Sequence, residues 1–535
     1  MIFFKLAFIN VFFLIIIALF NTNSWYFIIL TIAQLFYIPL TLYMVSKSDQ
    51  SWFARFLPYV SIPASLAVIL LQLTTNTPFD LVFALLYFVF TLTVAGYGLS
   101  RFLKRGFTHM EEFMIDMGLI YLAIGGAWFL VSEAKIDTDF SPILTWLTSV
   151  HFHYSSFLLP IFVGFLGRLY KSTFYKWVGT IILLSPIVVA VGIAYSPLIE
   201  LFSVLMYIVG IYGLIILSVK ASVQHVLQKW MIRISFAALG ISIVFSLLYA
   251  FGNLSKLYVV TIDFMLRFHG VTNCVLFALI GIIGWYIQIP PSKQRKLDFP
   301  ISMIRGKWTI GKNILSGKLD NKKYNGLIDD MGLYKRHLNR QTLSPAVIDF
   351  YENTIEYRLF AEVKWCLWFK PFAGIYRLIS RYMKQINLPL SSQKVEMTGD
   401  IFSIKEEVDG RSNPRAWVRM ANEETIFVAL YSYHQTLDRT YMNIALPLPR
   451  SSMIGILEMS NSGKELVLTS KKQSSETDSG IYLAVKKSLF KLPIEETFQV
   501  QEDKSGNLKA QHNMWIFSIP FLTINYAIYH KDVCN

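Results

Sequence analysis

Two short polar motifs interrupt long apolar stretches of this sequence, and they contain the side chains best suited to chemistry. Imidazole, phenol, carboxylate, guanidinium and amide groups can together bind a polar or anionic substrate, and imidazole can also bind a metal. Such groups are costly inside an apolar helix unless they pair or line a wet cavity, so they predict a substrate-binding site. The predicted binding residues are His151, His153, Tyr154, Asp263, Arg267, His269 and Asn273.

The spacing of the first motif argues against a simple pair of metal ligands. On a regular helix His151 and His153 lie about 200° apart and cannot bind one ion from a common face. Pro160 deprives the carbonyl of Ser156 of its hydrogen-bond partner, and only a local distortion of that kind would turn both imidazoles inward. Without such a distortion, His151 shares a face with Tyr154 and His153 points elsewhere.

The second motif contains two pairs of residues that are four positions apart. Asp263 and Arg267 can neutralise each other, while His269 and Asn273 form another pair on a different face. Recognition of a polar or anionic group is favoured over metal binding, because no spacing here matches a known zinc or di-metal site. No cofactor is predicted. The alternative is that these groups bond one another or nearby loops and hold the outer rim of the protein together.

The composition requires a lipid environment for much of the chain. The sequence has 535 residues, of which 54% are hydrophobic and only 16% are charged. An average soluble protein has about a quarter of its residues charged, so this chain has more apolar surface than one soluble core can bury. Cys274, Cys366 and Cys534 lie far apart and show no spacing typical of a disulfide scaffold or zinc module. We therefore predict a membrane protein.

Ten stretches are mainly apolar and long enough to span a bilayer, which takes about 20 residues. Their approximate bounds are residues 2–21, 25–44, 56–73, 79–100, 112–132, 147–168, 177–195, 198–219, 233–252 and 263–288. The connections alternate in charge, with 14 Lys or Arg residues on one side and 2 on the other. Because basic loops face the cytoplasm, we predict that both termini are cytoplasmic and that both polar motifs lie near the outer side.

Three acidic residues open the fifth span on the predicted inner side, namely Glu111, Glu112 and Asp116. Acids in the first turn of a helix offset the positive end of its dipole, so capping is the favoured interpretation. Glu112 and Asp116 also share a face, where they could bind a cation or relay a proton.

The chain changes character near residue 290, because no later apolar run is long enough to span a bilayer. We predict a polytopic α-helical membrane bundle at 1–290 and a linker with an irregular lead-in at 291–343. A cytoplasmic α+β domain is predicted at 344–535.

The predicted cytoplasmic domain begins with a helix and continues with strands. Ser344 suits the N-cap and Pro345 the first turn of a helix that is expected to end near Val363. From about residue 394 to 531, strand-like runs alternate with turn signals such as Asp409-Gly410. Many short strands must hide their edges, so we predict an antiparallel sheet that is strongly curved or barrel-like. Such shapes often hold an apolar ligand, although shape alone does not define a function.

Residues Trp365–Asn387 combine six aromatic residues with four basic ones at helical spacing. This pattern suits a helix that lies on the inner leaflet with its apolar side toward the lipid. The other interpretation is a core helix with a solvated basic face. Nucleic-acid binding is not predicted, because no recognised motif accompanies these residues.

The two polar motifs resemble those of a known family. His151-Phe152-His153-Tyr154, Arg267-Phe268-His269-Gly270 and Asn273 are similar to the YndJ-like family of bacterial membrane proteins. The resemblance covers mainly the membrane half and implies a multi-pass protein of the bacterial cytoplasmic membrane, with no established reaction or substrate. The cytoplasmic half, including the segment Met442–Pro449, looks like a region appended in some members.

Together these features predict a transporter-like or lipophile-handling membrane protein with an outer-side polar pocket and a cytoplasmic domain that binds a ligand or partner. The expected partners are the lipid bilayer and a small-molecule or lipid ligand. An enzyme is not favoured, because the sequence has no nucleophile elbow and no Gly-rich phosphate loop. Two alternatives stay open: a membrane-embedded metal or redox enzyme that uses the histidines, and a sensor or scaffold.

Overall fold

The computed structural model divides the chain into two units, one of helices and one built around a sheet. The first unit contains Met1–Phe102 and His109–Ser292, and the second contains Leu103–Thr108 and Lys293–Asn535. Lys293, Arg295 and Lys296, three of the 14 basic residues that predict the cytoplasmic side, lie outside the described residues. The structure describes residues 2–20, 24–47, 49–74, 77–105, 109–257, 260–292, 298–334, 338–471, 477–486 and 488–534.

The first unit confirms the predicted bundle. In the described part of the chain, ten helices are long and apolar enough to cross a membrane. They are α1 (Ile2–Phe20), α2 (Phe27–Ser46), α3 (Trp52–Leu73), α4 (Asp80–Leu103), α5 (Met110–Glu133), α6 (Pro142–Leu169), α7 (Thr173–Tyr195), α8 (Pro197–Lys220), α9 (Val226–Ser255) and α10 (Ile262–Ile287). Large apolar side chains such as Leu19, Val209 and Ile241 are exposed on their surfaces. A lipid solvent covers such side chains without cost, and helices satisfy their own backbone polar groups there.

Three of these helices contain wider, π-helical turns. The turns are Ala33–Tyr37 in α2, Tyr154–Leu158 in α6, and Met265–Gly270 and Asn273–Leu279 in α10. In α6 the turn directly precedes Pro160, which cannot donate a hydrogen bond to the carbonyl of Ser156. Such turns shift the side chains on either side of them and are frequent at functional sites.

The second unit contains a closed antiparallel barrel, as predicted. Its strands are β1 (Tyr357–Trp365), β2 (Val395–Ser403), β3 (Arg415–Ala421), β4 (Glu424–Thr436), β5 (Arg439–Leu448), β6 (Ser451–Ser462), β7 (Glu465–Thr469), β8 (Gly480–Val485), β9 (Ser488–Lys491), β10 (Ile494–Glu502), β11 (Leu508–Ile516) and β12 (Ile519–His530). The barrel order is β5-β4-β3-β2-β1-β12-β11-β10-β7-β6, and pairing of β6 with β5 closes it. The β8–β9 hairpin pairs with the first half of β6.

Tight turns set the register of the barrel hairpins. Asn422 and Glu423 between β3 and β4 both have positive φ, and so do Phe517 and Ser518 between β11 and β12. A two-residue turn of this kind matches the right-handed twist of the strands that it joins. Gly410, the second residue of the predicted turn signal Asp409-Gly410, has a φ of 84°. Closure of the barrel then leaves none of its ten strands with a free edge.

In the described part of the second unit, two α-helices longer than one turn accompany the barrel, α11 (Pro345–Glu352) and α12 (Lys370–Met383). The prediction that the first helix continues to about Val363 is wrong, because β1 already begins at Tyr357. Leu359, Ala361 and Val363 are buried at alternate positions, which is the two-residue period of a strand. Pairing of β1 with β12 on one side and β2 on the other therefore outweighs helical propensity.

The segment that was predicted as a linker and irregular lead-in packs closely on the barrel. Side chains from its first part join one hydrophobic cluster of the second unit, and side chains from its last part join another. Buried members are Ile304, Ile310 and Ile314 in the first cluster, and Leu327, Ile328 and Met331 in the second. The barrel unit therefore owes part of its core to residues before α11.

Candidate functional site

His153 of the first predicted motif is buried between three membrane helices. Its Nε2 lies 2.7 Å from the hydroxyl of Tyr87, and its Nδ1 lies 2.7 Å from the carbonyl oxygen of Ser149. Gly125 makes room for the ring, since a Cβ at that position would lie 2.8 Å from Nδ1. Both ring nitrogens are therefore occupied, and the imidazole joins α6 to α4 and α5.

Tyr154 lies where the three helices with π-helical turns meet. Its hydroxyl donates to the carbonyl oxygen of Ile29 at 2.7 Å and lies 3.3 Å from Sγ of Cys274. The hydroxyl of Tyr37 donates to the carbonyl oxygen of Cys274 at 2.7 Å. The two phenols thus connect α2, α6 and α10 inside the bundle.

His151 points away from His153, as the regular spacing predicts. It is exposed on α6, and its Nδ1 lies 2.8 Å from the carbonyl oxygen of Leu147. His151 also lies within electrostatic range of His269 on α10. The π-helical turn therefore does not turn both imidazoles of α6 to a common side.

His269 and Asn273 form the predicted pair, which also binds to α9. Nε2 of His269 lies 3.0 Å from Nδ2 of Asn273, and Nδ1 lies 3.1 Å from the carbonyl oxygen of Ser242. The hydroxyl of Ser242 donates to Oδ1 of Asn273 at 2.7 Å. This closed set of contacts is half-buried and uses the polar atoms of both side chains.

Asp263 and Arg267 form the other predicted pair at the start of α10. Nε of Arg267 lies 2.8 Å from Oδ2 of Asp263, and both side chains are more than half exposed. The guanidinium also lies 5.8 Å from the ring centre of Trp25. Among the described residues no group of three His, Cys, Asp or Glu is arranged to hold a metal ion. The seven predicted side chains thus form several separate sets of contacts rather than one pocket.

A buried charge network at the opposite end of the bundle was only partly predicted. Nε of Arg101 lies 2.7 Å from Asp116, and its Nη2 lies 3.0 Å from Glu112. Arg168 binds the same Glu112 with two nitrogens, at 2.8 and 2.9 Å. Glu112 and Asp116 do share a face, and the cation that they bind is the guanidinium of Arg101.

The network extends to the loop between α2 and α3. The hydroxyl of Tyr97 donates to Oδ2 of Asp49 at 2.8 Å, and Arg101 lies 3.9 Å from the same oxygen. Burial acts to raise the pKa of Asp49, but Ser51, Tyr97 and Arg101 hold that pKa below its usual value. From the sequence, Arg101 was predicted only to help determine topology, as one basic residue at the end of a span.

The barrel of the second unit encloses a cavity of about 560 Å³. Residues at alternate strand positions point into it, as the pleat of a strand requires. Its wall is mainly aliphatic and aromatic, and representative members are Leu457, Leu468, Phe498, Val500, Phe521 and Ile524. Ligand cavities in proteins typically measure roughly 300–1,000 Å³ and combine an apolar wall with few polar groups. This lumen has the size and the lining of a binding site.

Arg419 on β3 places a positive charge in this apolar lumen. Its guanidinium lies 4.6 Å from the ring centre of Trp417 and 4.3 Å from that of Phe427. The hydroxyl of Tyr526 lies within its hydrogen-bonding range. Nε of Arg419 is buried without a hydrogen-bond partner, and Arg419 forms no ion pair with a carboxylate of the described residues. The guanidinium therefore retains a free capacity to bind an anionic oxygen.

Glu496 and His512 form a second polar group in the lumen. Nε2 of His512 lies 2.9 Å from Oε2 of Glu496, and the imidazole stacks on Phe498 with ring centres 3.6 Å apart. Burial raises the pKa of Tyr431 to about 12 and also raises that of Tyr526. Both phenols are therefore neutral donors at neutral pH. Glu496 already has His512 as a partner, whereas Arg419 has no anionic partner within the ranges that the structure describes.

The turn at Asp409, Gly410 and Arg411 is structural, as the sequence favours. Nε of Arg411 lies 2.6 Å from Oδ1 of Asp409, and both side chains are fully buried. Nη1 of Arg411 donates to the carbonyl oxygen and to Oδ1 of Asn443, each at 2.8 Å. This ion pair joins the turn to β5 and leaves the lumen as the candidate site of the second unit.

Comparison with known proteins places both units in one group of relatives. A family model described as YndJ-like protein matches residues 28–277. The uncharacterized membrane protein YndJ of Bacillus subtilis (strain 168) is 39% identical over 456 residues, which cover 84% of each chain. An alignment of that length exceeds the helical unit and must include much of the barrel unit. No solved structure matches the chain.

Proposed function

This chain belongs to the YndJ-like family of membrane proteins, and we propose that it binds a lipophilic molecule inside its barrel. The observation that carries the proposal is the apolar cavity of about 560 Å³ with an arginine, Arg419, that has no anionic partner in the described part of the chain. An apolar ligand would remove the wall of this cavity from contact with water. That transfer is favourable in proportion to the apolar area that is buried.

The ligand class follows from the polar groups of the lumen. A guanidinium in an apolar setting is costly without a hydrogen-bonded anion, and a carboxylate matches its geometry with two parallel hydrogen bonds. Arg419 and Tyr526 can both donate to one headgroup, while the apolar wall accepts the remainder of the molecule. We therefore propose an amphiphile with an acidic headgroup and an apolar tail, such as a long-chain carboxylate.

The helical unit would keep the ligand-binding barrel at the membrane in which the proposed amphiphile dissolves. The alternation of basic and non-basic connections supports a bacterial cytoplasmic membrane with both termini in the cytoplasm. The barrel would then act on the cytoplasmic side as the ligand-binding domain of a lipophile-handling protein.

A transporter-like role for the outer end of the helical unit is the second proposal. Its support is the approach of His151 to His269 and the exposure of Arg267, which could contact a polar or anionic group. The meeting of three helices with π-helical turns at Tyr154 adds a structural reason to test this region. The metal or redox alternative gains no such support from the described residues.

A matched pair of tryptophan substitutions tests the lumen proposal. Ala510 lines the cavity, whereas its neighbour Gln511 on β11 is exposed. Ala510→Trp fills part of the lumen and should weaken binding of a fluorescent long-chain carboxylate by at least tenfold. Gln511→Trp adds the same side chain on the outside and should leave the affinity unchanged.

The measurement uses the full chain in detergent or nanodiscs, with the melting temperature of each variant as a control for folding. Mass spectrometry of the gently purified protein would identify a bound amphiphile directly. Equal binding by Ala510→Trp, Gln511→Trp and the unmodified chain would rule out the lumen as the ligand site.

A further inference from the structure

One face of α12 exposes a row of large apolar side chains. Phe372, Ile375, Ile379 and Tyr382 follow the spacing of a single helical stripe, and their exposed fractions range from 57% to 71%. Ala373, Ser380 and Met383 on another face are buried. The stripe is therefore not the surface through which α12 packs on its own domain, and the helix is more than a core helix with a solvated basic face.

Neighbouring segments extend this apolar surface. Leu367 and Trp368 precede α12 and are 86% and 45% exposed. Nε1 of Trp368 donates to the carbonyl oxygen of Pro520 at 2.9 Å, which fixes the β11–β12 turn beside the helix. The exposed Phe517 and Ile519 in and after that turn continue the surface. We call this surface the docking patch; its residues are Leu367, Trp368, Phe372, Ile375, Leu378, Ile379, Tyr382, Phe517 and Ile519.

The same helix also forms part of the lumen wall. Phe372 and Tyr376 of α12 line the cavity, as does Phe369 just before it. Phe369 packs on Phe521 of β12 with ring centres 4.8 Å apart. α12 therefore lies between the lumen and the docking patch, and Phe372 belongs to both.

The charge around the docking patch favours an anionic surface. Residues 363–395 contain six Lys or Arg residues and no Asp or Glu. Arg381 pairs with Glu424 at 3.0 Å, whereas Lys370 and Lys384 lie exposed at the two ends of α12. Exposed basic residues attract the anionic headgroups of a bilayer. Exposed aromatic residues such as Trp368 and Tyr382 are typical of the level of those headgroups.

We propose that the docking patch binds an anionic bilayer, with its apolar side chains among the lipid acyl chains, and that α12 admits the amphiphile to the lumen from there. A membrane is the occupant favoured over a protein, because ten spans of the same chain keep lipid at a high effective concentration. The proposal that the docking patch binds a bilayer depends only on the exposed surface. The proposal that α12 admits the amphiphile to the lumen also rests on the proposed function.

The first experiment locates the docking patch in the membrane. The full chain, with its three native cysteines replaced by serine, receives Ile375→Cys labelled with the fluorophore NBD, and Gln511→Cys serves as the control position. In nanodiscs that contain anionic lipid, the label at 375 should shift to shorter wavelength and be quenched by lipids carrying nitroxide on the acyl chain. The label at 511 should remain in water.

A water-like spectrum at 375 in anionic nanodiscs would overturn the docking proposal. Protection of the label without quenching by nitroxide lipids would overturn it in favour of contact with a second copy or another protein. Weaker quenching in nanodiscs of neutral lipid supports the role of the basic residues.

The second experiment tests ligand entry with charge at the docking patch. Ile379→Glu combined with Tyr382→Glu changes exposed residues and leaves position 375 free for the label, so folding should persist. Leu437→Glu introduces charge at another exposed apolar residue, in the β4–β5 turn. The double variant should lose quenching and slow transfer of a fluorescent carboxylate from vesicles by at least tenfold, with its equilibrium affinity in detergent unchanged. Normal transfer by the double variant would overturn the entry path. Absence of carboxylate binding in every variant would instead contradict the proposed function, and the quenching result would still decide the docking.

Discussion

His153 in the membrane helices and Arg419 in the barrel lumen differ in whether neighbouring polar groups satisfy them. His153 inside the bundle uses both ring nitrogens in contacts with Tyr87 and Ser149. Arg419 in the lumen has aromatic rings and a phenol around it but no anionic partner among the described residues. A satisfied polar group in an apolar setting stabilises a fold, whereas an unsatisfied one that faces a cavity marks a place for a ligand.

The same contrast separates the two ends of the helical unit. Arg101 is almost fully buried and binds two carboxylates, while Arg267 is largely exposed and binds one. A buried charge depends on its partners for nearly all of its solvation, but an exposed charge keeps its water. Variants at these positions should therefore differ widely in stability.

The largest effect is expected at Arg101. Arg101→Ala leaves the carboxylates of Glu112 and Asp116 buried with less compensation, which costs about 3–5 kcal/mol. The melting temperature of the full chain in detergent should fall sharply, and expression should fall with it. Asp116→Asn removes one of the acids that repel each other after the loss of Arg101. Combined with Arg101→Ala it should recover part of the stability, and no recovery would contradict the coupling.

His153→Ala is expected to have the next largest effect on stability. It removes the contact with Tyr87 and leaves a cavity between α4, α5 and α6, at a cost of about 2–4 kcal/mol. His151→Ala is the control, because that exposed ring contacts only its own helix by hydrogen bond and its loss should cost less than about 0.5 kcal/mol. Denaturation of both variants in the same detergent measures the difference. Equal destabilisation would contradict the assignment of His153 as the structural histidine.

Arg419→Met tests the contrast between the lumen and the bundle directly. Loss of a charge-assisted bond worth about 1.5–3 kcal/mol should weaken binding of a long-chain carboxylate roughly 10- to 100-fold. Affinity for the methyl ester of the same chain should change little, because it relies on the apolar wall. Arg340→Met is the matched control, since Arg340 pairs with Asp330 at an exposed site. An equal loss of ester and carboxylate binding would mean that Arg419 shapes the lumen rather than binding the headgroup.

The sequence predicted the helical unit well because the bilayer imposes one simple rule. A span must be apolar over its whole length, so hydropathy alone located the ten helices. The partners of Arg101 were harder to predict, because basic residues at span ends also determine topology and nothing in α4 alone indicates that this one is buried. Only the packing of α4 against α5 and α6 shows that Arg101 is buried and which carboxylates it binds.

The barrel was predicted as a shape, but its lumen residues were not. In β10 the inward positions are Glu496, Phe498 and Val500, while Glu495 and Gln499 occupy the alternate face. Polar residues on both faces resemble a solvated strand, so the alternation that identifies an inward charge is weak. The available signal for an inward charge was that Glu496 alternates with two apolar residues, Phe498 and Val500, on the same face of the strand.

The segment around α12 shows where sequence patterns reach their limit. Its aromatic and basic residues fit either a helix on a membrane or a helix in a core, because both require an amphipathic pattern. The exposure of Ile375 and Ile379 depends on how much of the apolar arc the barrel covers. That coverage is a property of tertiary packing and has no counterpart in the spacing of the residues.

The smallest effect on stability is expected at the exposed pair of α10. Arg267→Ala removes an ion pair with Asp263 whose side chains are 59% and 66% exposed, and such pairs contribute about 0–1 kcal/mol. The melting temperature should barely change, and the small change should decrease further at high salt because exposed charges are screened. A clear fall in melting temperature would show that the pair stabilises this end of the helical unit. His269 and Asn273 keep their own partners in Arg267→Ala. If that variant keeps its stability but loses binding or transport of a polar or anionic substrate, Arg267 belongs to the proposed outer pocket and not to the structural contacts beside it.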